Sequence, residues 1–243
     1  MGSRLEWDGC FNARDLGGLP ARDGRRTRQG AIIRSDQLCN LTSEGWAAVY
    51  SYGIRTVIDL QDHDSSTSDR TPRPVGITTL HLPLEDRSES EFWDTWGAST
   101  GRYLTPLYYR PFLDRFPDRC VAVMRAIAVA PLGGVVVHCR VGRDRTGLIA
   151  MLALAVVGVD ADRISDDYEL SARYLPALFR AQGEDDEGPI VERILERECT
   201  TARAAIHRAL EGLDVGRYLS DHGLMSAEAM ALTERFLRPV GTP

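Results

Sequence analysis

The sequence of 243 residues predicts an α/β fold with a mainly parallel central sheet flanked by helices. Val135 to Val137 form a continuous β-branched run, which is typical of a strand buried on both faces. The apolar segment from Arg145 to Val157 is long enough for a helix of about three turns, and Gly158 stands where a helix-ending glycine is common. Because 43% of the residues are hydrophobic, the chain can bury a large core, and we expect residues 1–243 to form one domain.

The other elements follow from composition and periodicity. Thr42 is placed to cap a helix that ends before Gly53. Prolines and a glycine break the polar residues 61–76, which predicts a surface connection. Short apolar runs predict strands at 31–33, 54–60 and 77–82. Further helices are expected at 118–130, then in a helical C-terminal part (160–243) as a pair within 160–178, at 200–213 and at 226–237.

The loop from Cys139 to Arg145 connects the predicted strand at 135–137 to the predicted helix that starts at Arg145. Backbone N–H groups converge in a loop before a helix N-terminus and the helix dipole favours negative charge there, so we expect an anion site. Such a setting stabilises a thiolate nucleophile, and we expect Cys139 to be ionised. Gly142 permits a tight turn, and the guanidinium of Arg145 can hold two oxygens of a tetrahedral oxyanion. Thr146 is placed to donate its hydroxyl to the sulfur.

This loop, His138-Cys139-x5-Arg145-Thr146-Gly147, resembles the signature loop of cysteine-dependent protein tyrosine phosphatases. It is most similar to the HC-x-x-G-K-D-R-T-G version of bacterial atypical tyrosine and lipid phosphatases, with arginine in place of the lysine. Four further motifs extend the resemblance, at 11–18, 34–36, 57–60 and 167–171. A buried free cysteine in a glycine-rich turn would not explain these matches.

The resemblance implies a single tyrosine-phosphatase-like domain without a metal or other cofactor. Cys139 would be the nucleophile, and Arg145 would bind the phosphoryl group. The remaining loop residues would surround the substrate phosphate: Arg140, Val141, Gly142, Arg143, Asp144 and Thr146.

A phosphatase of this kind also needs a carboxylic acid, which protonates the leaving oxygen and then activates water. In related phosphatases the acid follows a strand and a Pro-x-x-Asp turn, which Pro83 to Asp86 reproduces, so Asp86 is our first candidate. An aspartate that only forms a turn is the structural alternative. Asp59 and Asp144 are the other candidates, but the arginines beside Asp144 favour its ionised form, which is a poor acid.

Two segments have two interpretations each. Residues 88–117 are rich in aromatic side chains, and the corresponding region of related bacterial phosphatases is a helical lid. These aromatic side chains could equally cover the core.

Residues 12–18 also have two interpretations. In the family this segment lies near the active-site end of the domain. It could contact a ligand directly, or Arg14 and Asp15 could form a pair that fixes a turn.

Charge and cysteine content narrow the class of protein. A net charge of −6 argues against a general binder of nucleic acid or of membrane surfaces. The five cysteines form neither a paired-CxxC zinc pattern nor an even disulfide set, which favours a reducing compartment. The sequence shows no signal peptide and no apolar run of membrane-spanning length, so we expect a cytoplasmic protein, with secretion by another route left open.

The predicted function is hydrolysis of phosphomonoesters through a cysteinyl-phosphate intermediate. A phosphotyrosine protein is the first substrate, and Arg140 and Arg143 add two cations, as in phosphoinositide phosphatases, so phosphoinositide or dual specificity is considered. These arginines could instead pair with nearby acids. A phosphatase of a nucleotide or sugar phosphate is one alternative. An inactive phosphate-binding module is another, which the presence of both nucleophile and acid disfavours.

Overall fold

The computed structural model describes residues 3–62, 68–85 and 88–237. The strands of this part of the chain are β1 (Arg14–Asp15), β2 (Ile32–Ser35), β3 (Ile54–Asp59), β4 (Thr78–His81) and β5 (Gly134–His138). They form one sheet in the order β1-β2-β5-β3-β4. All neighbouring pairs are parallel except β1 with β2 at the edge, which confirms the α/β class and the mainly parallel sheet.

The central position of β5 explains its uninterrupted valines. Val135 pairs with Ile32 on one side, and Val136 pairs with Val57 on the other. Val135 and Val137 face the larger apolar cluster of the protein, whereas Val136 belongs to a second cluster across the sheet. Both faces of the strand are therefore buried, as a continuous apolar run requires.

Helices cover both faces of the sheet. Those described are α1 (Ser43–Ser51), α2 (Ser90–Trp96), α3 (Tyr109–Arg115), α4 (Pro117–Val129), α5 (Asp144–Val156), α6 (Ala161–Gln182), α7 (Gly188–Arg197), α8 (Ala202–Leu210), α9 (Val215–Asp221) and α10 (Ser226–Phe236). Helix α1 supplies Trp46 to the smaller cluster, and α4 and α5 pack in the larger one. Within the described ranges, no helix combines the length and apolar character needed to cross a membrane.

Helix α6 corrects one prediction. The sequence predicted a helix pair within 160–178, but one helix of 22 residues continues through Pro176 to Gln182. Its second half stays in register because Leu175, Leu178 and Phe179 are buried together with Val141 of the loop. Burial of this apolar face outweighs the local effect of the proline.

Candidate active site

The carboxyl ends of the parallel strands meet at one edge of the sheet, where the loop from Cys139 begins. His138, the last residue of β5, places its Nδ1 3.8 Å from Oδ1 of Asp59, the last residue of β3. Burial lowers the pKa of the His138 imidazole and Asp59 only partly opposes this, so the ring is neutral at physiological pH. Asp59 also lies 4.0 Å from the imidazole of His81 at the end of β4. Asp59 also accepts a hydrogen bond from the N–H of Gln61 at 2.9 Å.

The backbone of the loop turns its carbonyl groups outward. The donors to these carbonyl oxygens are the Gln37 N–H (3.0 Å, to Arg140), the Asn12 side chain (2.8 Å, to Val141) and the Arg34 guanidinium (2.8 and 3.1 Å, to Gly142 and Arg143). The N–H groups of residues 141–144 take part in no hydrogen bond within the described part of the chain. In a trans peptide the N–H of the next residue points opposite to each carbonyl group, so these N–H groups face the inner side of the loop. They form a cradle for an oxyanion.

Gly142 is required at the tightest point of this loop. Its φ is +71°, in the left-handed region. A Cβ at this position would collide with the backbone of Ser35 and Asp36. The loop therefore packs directly against the end of β2, which only glycine allows.

A buried cluster of three charges supports the loop from behind. Asp167 of α6 accepts hydrogen bonds from Nε of Arg14 (2.7 Å) and from Nη1 of Arg34 (2.6 Å), and all three side chains are at most 2% exposed. Burial alone raises the pKa of Asp167, but the two arginines outweigh it and hold this pKa below its ordinary value. Asp167 is therefore ionised at neutral pH.

This cluster also contradicts one of the two interpretations of residues 12–18, a turn pinned by an Arg14–Asp15 pair. Arg14 binds Asp167, while Asp15 accepts hydrogen bonds from the N–H of Gly17 (2.8 Å) and the hydroxyl of Tyr52 (2.6 Å). The motif at 12–18 therefore contributes to the site by holding the loop. Sequence reasoning missed the roles of Arg14, Arg34 and Asp167, although all three lie in motifs that it singled out.

Cys139 and Arg145 stand at the two ends of the cradle. Cys139 is 2% exposed, and Arg145 lies in the first turn of α5 with its Nε 3.5 Å from Oε1 of Glu85. Burial lowers the pKa of Arg145, but Glu85 and Cys139 outweigh it, and the net pKa lies above its ordinary value. The Nη1 of Arg145 is buried and has no partner in the described part of the chain. Arg145 is thus a cation with an unused donor.

Asp86, the first candidate for the acid, lies outside the described residues. The segment that leads to it is fixed at the site: Leu84 donates its N–H to the carbonyl of Leu60 (3.3 Å), and Arg119 donates to the carbonyl of Pro83 (3.1 Å). Glu85, which precedes Asp86, is 8% exposed and faces Arg145. Residues 83–85 therefore lie beside the loop.

Asp144 is held by two donors. Nε of Arg143 lies 3.1 Å from its Oδ1, and the hydroxyl of Tyr168 donates to the same oxygen at 3.0 Å. This geometry supports a role for Asp144 in fixing the start of α5.

The two additional arginines of the loop are engaged by acids of the connection between α6 and α7. Arg140 pairs with Glu184 (2.7 Å) and with Glu187. Arg143 pairs with Glu187 at 2.9 Å as well as with Asp144. Arg143 is 4% exposed, so its charge is compensated inside the protein.

The Thr146 hydroxyl differs from expectation. It is buried and makes no hydrogen bond within the described part of the chain, so the expected bond to the Cys139 sulfur is absent from this structure. No group of three or more His, Cys, Asp or Glu side chains in that part is placed to hold a metal ion.

The segment 88–117 is largely helical and anchored in the core by aromatic contacts. The ring of Phe92 in α2 lies 5.0 Å from that of Phe116 and 6.0 Å from that of Phe112, between centroids. Tyr108 and Tyr109 are also buried in the larger cluster, which includes Cys139. These aromatic side chains therefore cover the core beside the loop.

The sequence matches the model of a known protein family and resembles the sequences of named relatives. The sequence model of the tyrosine phosphatase family matches residues 5–238. The chain belongs to the tyrosine phosphatase family. The chain is 30% identical over 205 residues to the triple specificity protein phosphatase PtpB of Mycobacterium tuberculosis, and the match covers 71% of each chain. It is 29% identical over 168 residues to a protein of Cupriavidus necator named as a tyrosine-protein phosphatase, which covers 68% of this chain and 61% of that one.

The chain also resembles a solved structure, that of TpbA. The crystal structure of TpbA from P. aeruginosa is 16% identical and covers 87% of this chain and 91% of its own, with a TM-score of 0.41. A similarity this weak adds nothing to the family assignment.

Proposed function

We propose that this chain hydrolyses phosphotyrosine in proteins through a cysteinyl-phosphate intermediate. The observation that carries the proposal is the loop from Cys139 to Arg145. Its carbonyl groups are bound from outside, its N–H groups face inward, and the cation of Arg145 has an unused Nη1. A preorganised set of donors next to a nucleophile is what transfer of a phosphoryl group requires.

In the proposed reaction, the sulfur of Cys139 attacks phosphorus in line with the leaving oxygen. The N–H groups of the loop and Arg145 stabilise the charge on the three equatorial oxygens. Asp86 protonates the departing oxygen and then takes a proton from the water that hydrolyses the thiophosphate. Its assignment is supported by the preceding residue, since the carboxylate of Glu85 lies 3.5 Å from Nε of Arg145.

A substrate with one phosphate fits the loop best. A second phosphate could bind Arg140 or Arg143 only by displacing Glu184 or Glu187 from their ion pairs. Both relatives carry names of tyrosine or protein phosphatases, and the name of PtpB indicates a broader specificity for that protein. Phosphoinositides and the nucleotide or sugar phosphates are therefore the competing substrates in the test.

The direct test compares turnover of an aryl phosphate by the wild-type chain, Cys139→Ser and Cys199→Ser. We expect Cys139→Ser to abolish turnover while binding of inorganic phosphate remains measurable, because Arg145 and the loop N–H groups are unchanged. Cys199 is exposed, so its variant should keep full activity and serves as the control. Appreciable turnover by Cys139→Ser would show that the covalent mechanism is wrong.

Two further measurements define the reaction. Activity should survive a chelator such as EDTA, and a loss that zinc or magnesium restores would indicate metal-assisted hydrolysis instead. A panel of phosphotyrosine, phosphoserine, phosphoinositide and nucleotide substrates should show the highest kcat/KM for phosphotyrosine. A higher value for any other class would move the proposed function to that substrate.

A further inference from the structure

The hydroxyl of Tyr108 is a buried polar group without a partner. The residue is 1% exposed, and its oxygen makes no hydrogen bond within the described part of the chain. The ring is fixed by edge contacts, with centroids 5.3 Å from Tyr109 and 5.8 Å from Phe112. Buried polar atoms in native proteins nearly always have a hydrogen-bond partner, so this exception needs an explanation.

Tyr108 precedes a residue that contacts the loop from Cys139 to Arg145. The hydroxyl of its neighbour Tyr109 donates to the carbonyl of Asp144 at 2.8 Å, which docks this segment on the first turn of α5. Tyr108 and Cys139 belong to the same buried cluster. The charged groups that act on the Tyr108 hydroxyl are those of the candidate site: Glu85, Asp144, Arg145 and Cys139.

The hydroxyl is available as a hydrogen-bond donor here. Burial, and after it the charge of Glu85, raises the pKa of Tyr108 well above its ordinary value, so the phenol keeps its proton. Other polar side-chain atoms around the loop are also buried without a described partner, among them Nη1 of Arg145 and Oγ1 of Thr146. Several unused donors around one loop indicate a ligand that supplies acceptors.

We propose that the Tyr108 hydroxyl donates a hydrogen bond to a nonbridging oxygen of the phosphoryl group bound in the loop. Tyr108 is then a further substrate-contacting residue, contributed by the segment 88–117 and not by the loop. The inference rests on the proposed function, because it requires an oxyanion in the cradle. It also explains why the hydroxyl has no partner in the described part of the chain, because its hydrogen-bond partner would be an oxygen atom of the substrate.

The test uses Tyr108→Phe, with Tyr109→Phe as a matched control one residue away. Binding of inorganic phosphate is measured by calorimetry and unfolding by thermal denaturation. We expect Tyr108→Phe to weaken phosphate binding about 10-fold, because a hydrogen bond to a charged group is lost. Its melting temperature should stay the same or rise, since the removed hydroxyl has no partner in the free protein. Tyr109→Phe should instead lower the melting temperature, because its bond to Asp144 is lost.

Three results would overturn the inference. One is unchanged phosphate affinity in Tyr108→Phe. Another is a fall in its melting temperature as large as that of Tyr109→Phe, which would show a partner inside the protein. The third is a wild-type chain that binds no phosphate. Because the test measures binding, a chain that binds phosphate without turnover would contradict the proposed function and leave this inference standing.

Discussion

Arg34 and Asp167 form an ion pair of 2.6 Å across 133 residues of sequence. The same guanidinium donates to the carbonyl groups of Gly142 and Arg143, so it connects the carboxylate of α6 to the phosphate loop. With Arg14, the cluster contains two positive charges and one negative charge. The shape of the loop therefore depends on a buried carboxylate that lies outside it.

Replacement of Asp167 should be strongly destabilising. Asp167→Asn leaves two buried arginines without their anion, and we expect the free energy of unfolding to fall by about 3–5 kcal/mol. Asp166→Asn, on the same helix but at an ion pair with the partly exposed Arg203, should cost about 1 kcal/mol or less. Urea denaturation of both variants measures the difference. Equal losses would contradict the role of the cluster.

The same carboxylate predicts a pH dependence of stability. The two arginines hold the folded pKa of Asp167 below its ordinary value of 3.8. The stability that it contributes is therefore fully present above this pH and is lost as the pH falls through the depressed folded pKa. The wild type should lose stability below about pH 4 more steeply than Asp167→Asn in urea titrations at decreasing pH. Parallel curves would show that the carboxylate is not ionised in the folded protein.

Two glycines with the same backbone conformation provide a matched pair. Gly142 and Gly183 have φ of +71° and +69°, but a Cβ collides with backbone only at Gly142 and meets no atom within 4 Å at Gly183. Gly142→Ala should lower kcat/KM for an aryl phosphate about 100-fold, because the loop must shift. Gly183→Ala should cost about 1 kcal/mol of stability without a change in kcat/KM. Similar activity of the two variants would mean that the contact with β2 does not shape the cradle.

The assignment of the acid predicts a dependence on the leaving group. Asp86→Asn should slow an alkyl phosphate about 100-fold and an aryl phosphate of an acidic phenol much less, because only the poor leaving group needs protonation. Steady-state kinetics of Asp59→Asn and Asp144→Asn provide the comparison. If one of these shows the dependence and Asp86→Asn does not, the acid is that residue.

The two loop arginines should differ in their effect on stability. Arg143→Ala removes a buried cation from Asp144 and Glu187, and we expect it to cost about 3 kcal/mol. Arg140→Ala breaks partly exposed pairs and should cost about 1 kcal/mol or less. Chemical denaturation of the single variants checks both values.

The double variant Arg140→Ala/Arg143→Ala tests specificity. We expect it to lose activity by a similar factor on phosphotyrosine and on a phosphoinositide, because both arginines are engaged by acids. A rise in KM confined to the phosphoinositide, and shrinking as salt screens the charges, would instead show that they bind a second phosphate.

The centre of the site could be predicted because its signals are local. The valines of β5, the glycine at 142 and the apolar α5 are consecutive in sequence, and each has a direct conformational meaning. The partners of Arg14 and Arg34 could not be predicted, because Asp167 is brought to them only by the packing of α6. The sequence of 88–117 shows which residues are aromatic. It does not show that the Tyr108 hydroxyl lacks a hydrogen-bond partner in the described part of the chain.

The order of the strands has a consequence for folding. β5 pairs with β2, which lies far earlier in the chain, and Asp167, which supports the loop, lies beyond α5. Contacts between distant segments form slowly because a long loop must close first. During synthesis, a chain that has not yet released β5 would expose β2 and β3 without the strand that lies between them, a state prone to aggregation. We therefore expect the phosphate loop to be among the last parts of the protein to reach its final shape.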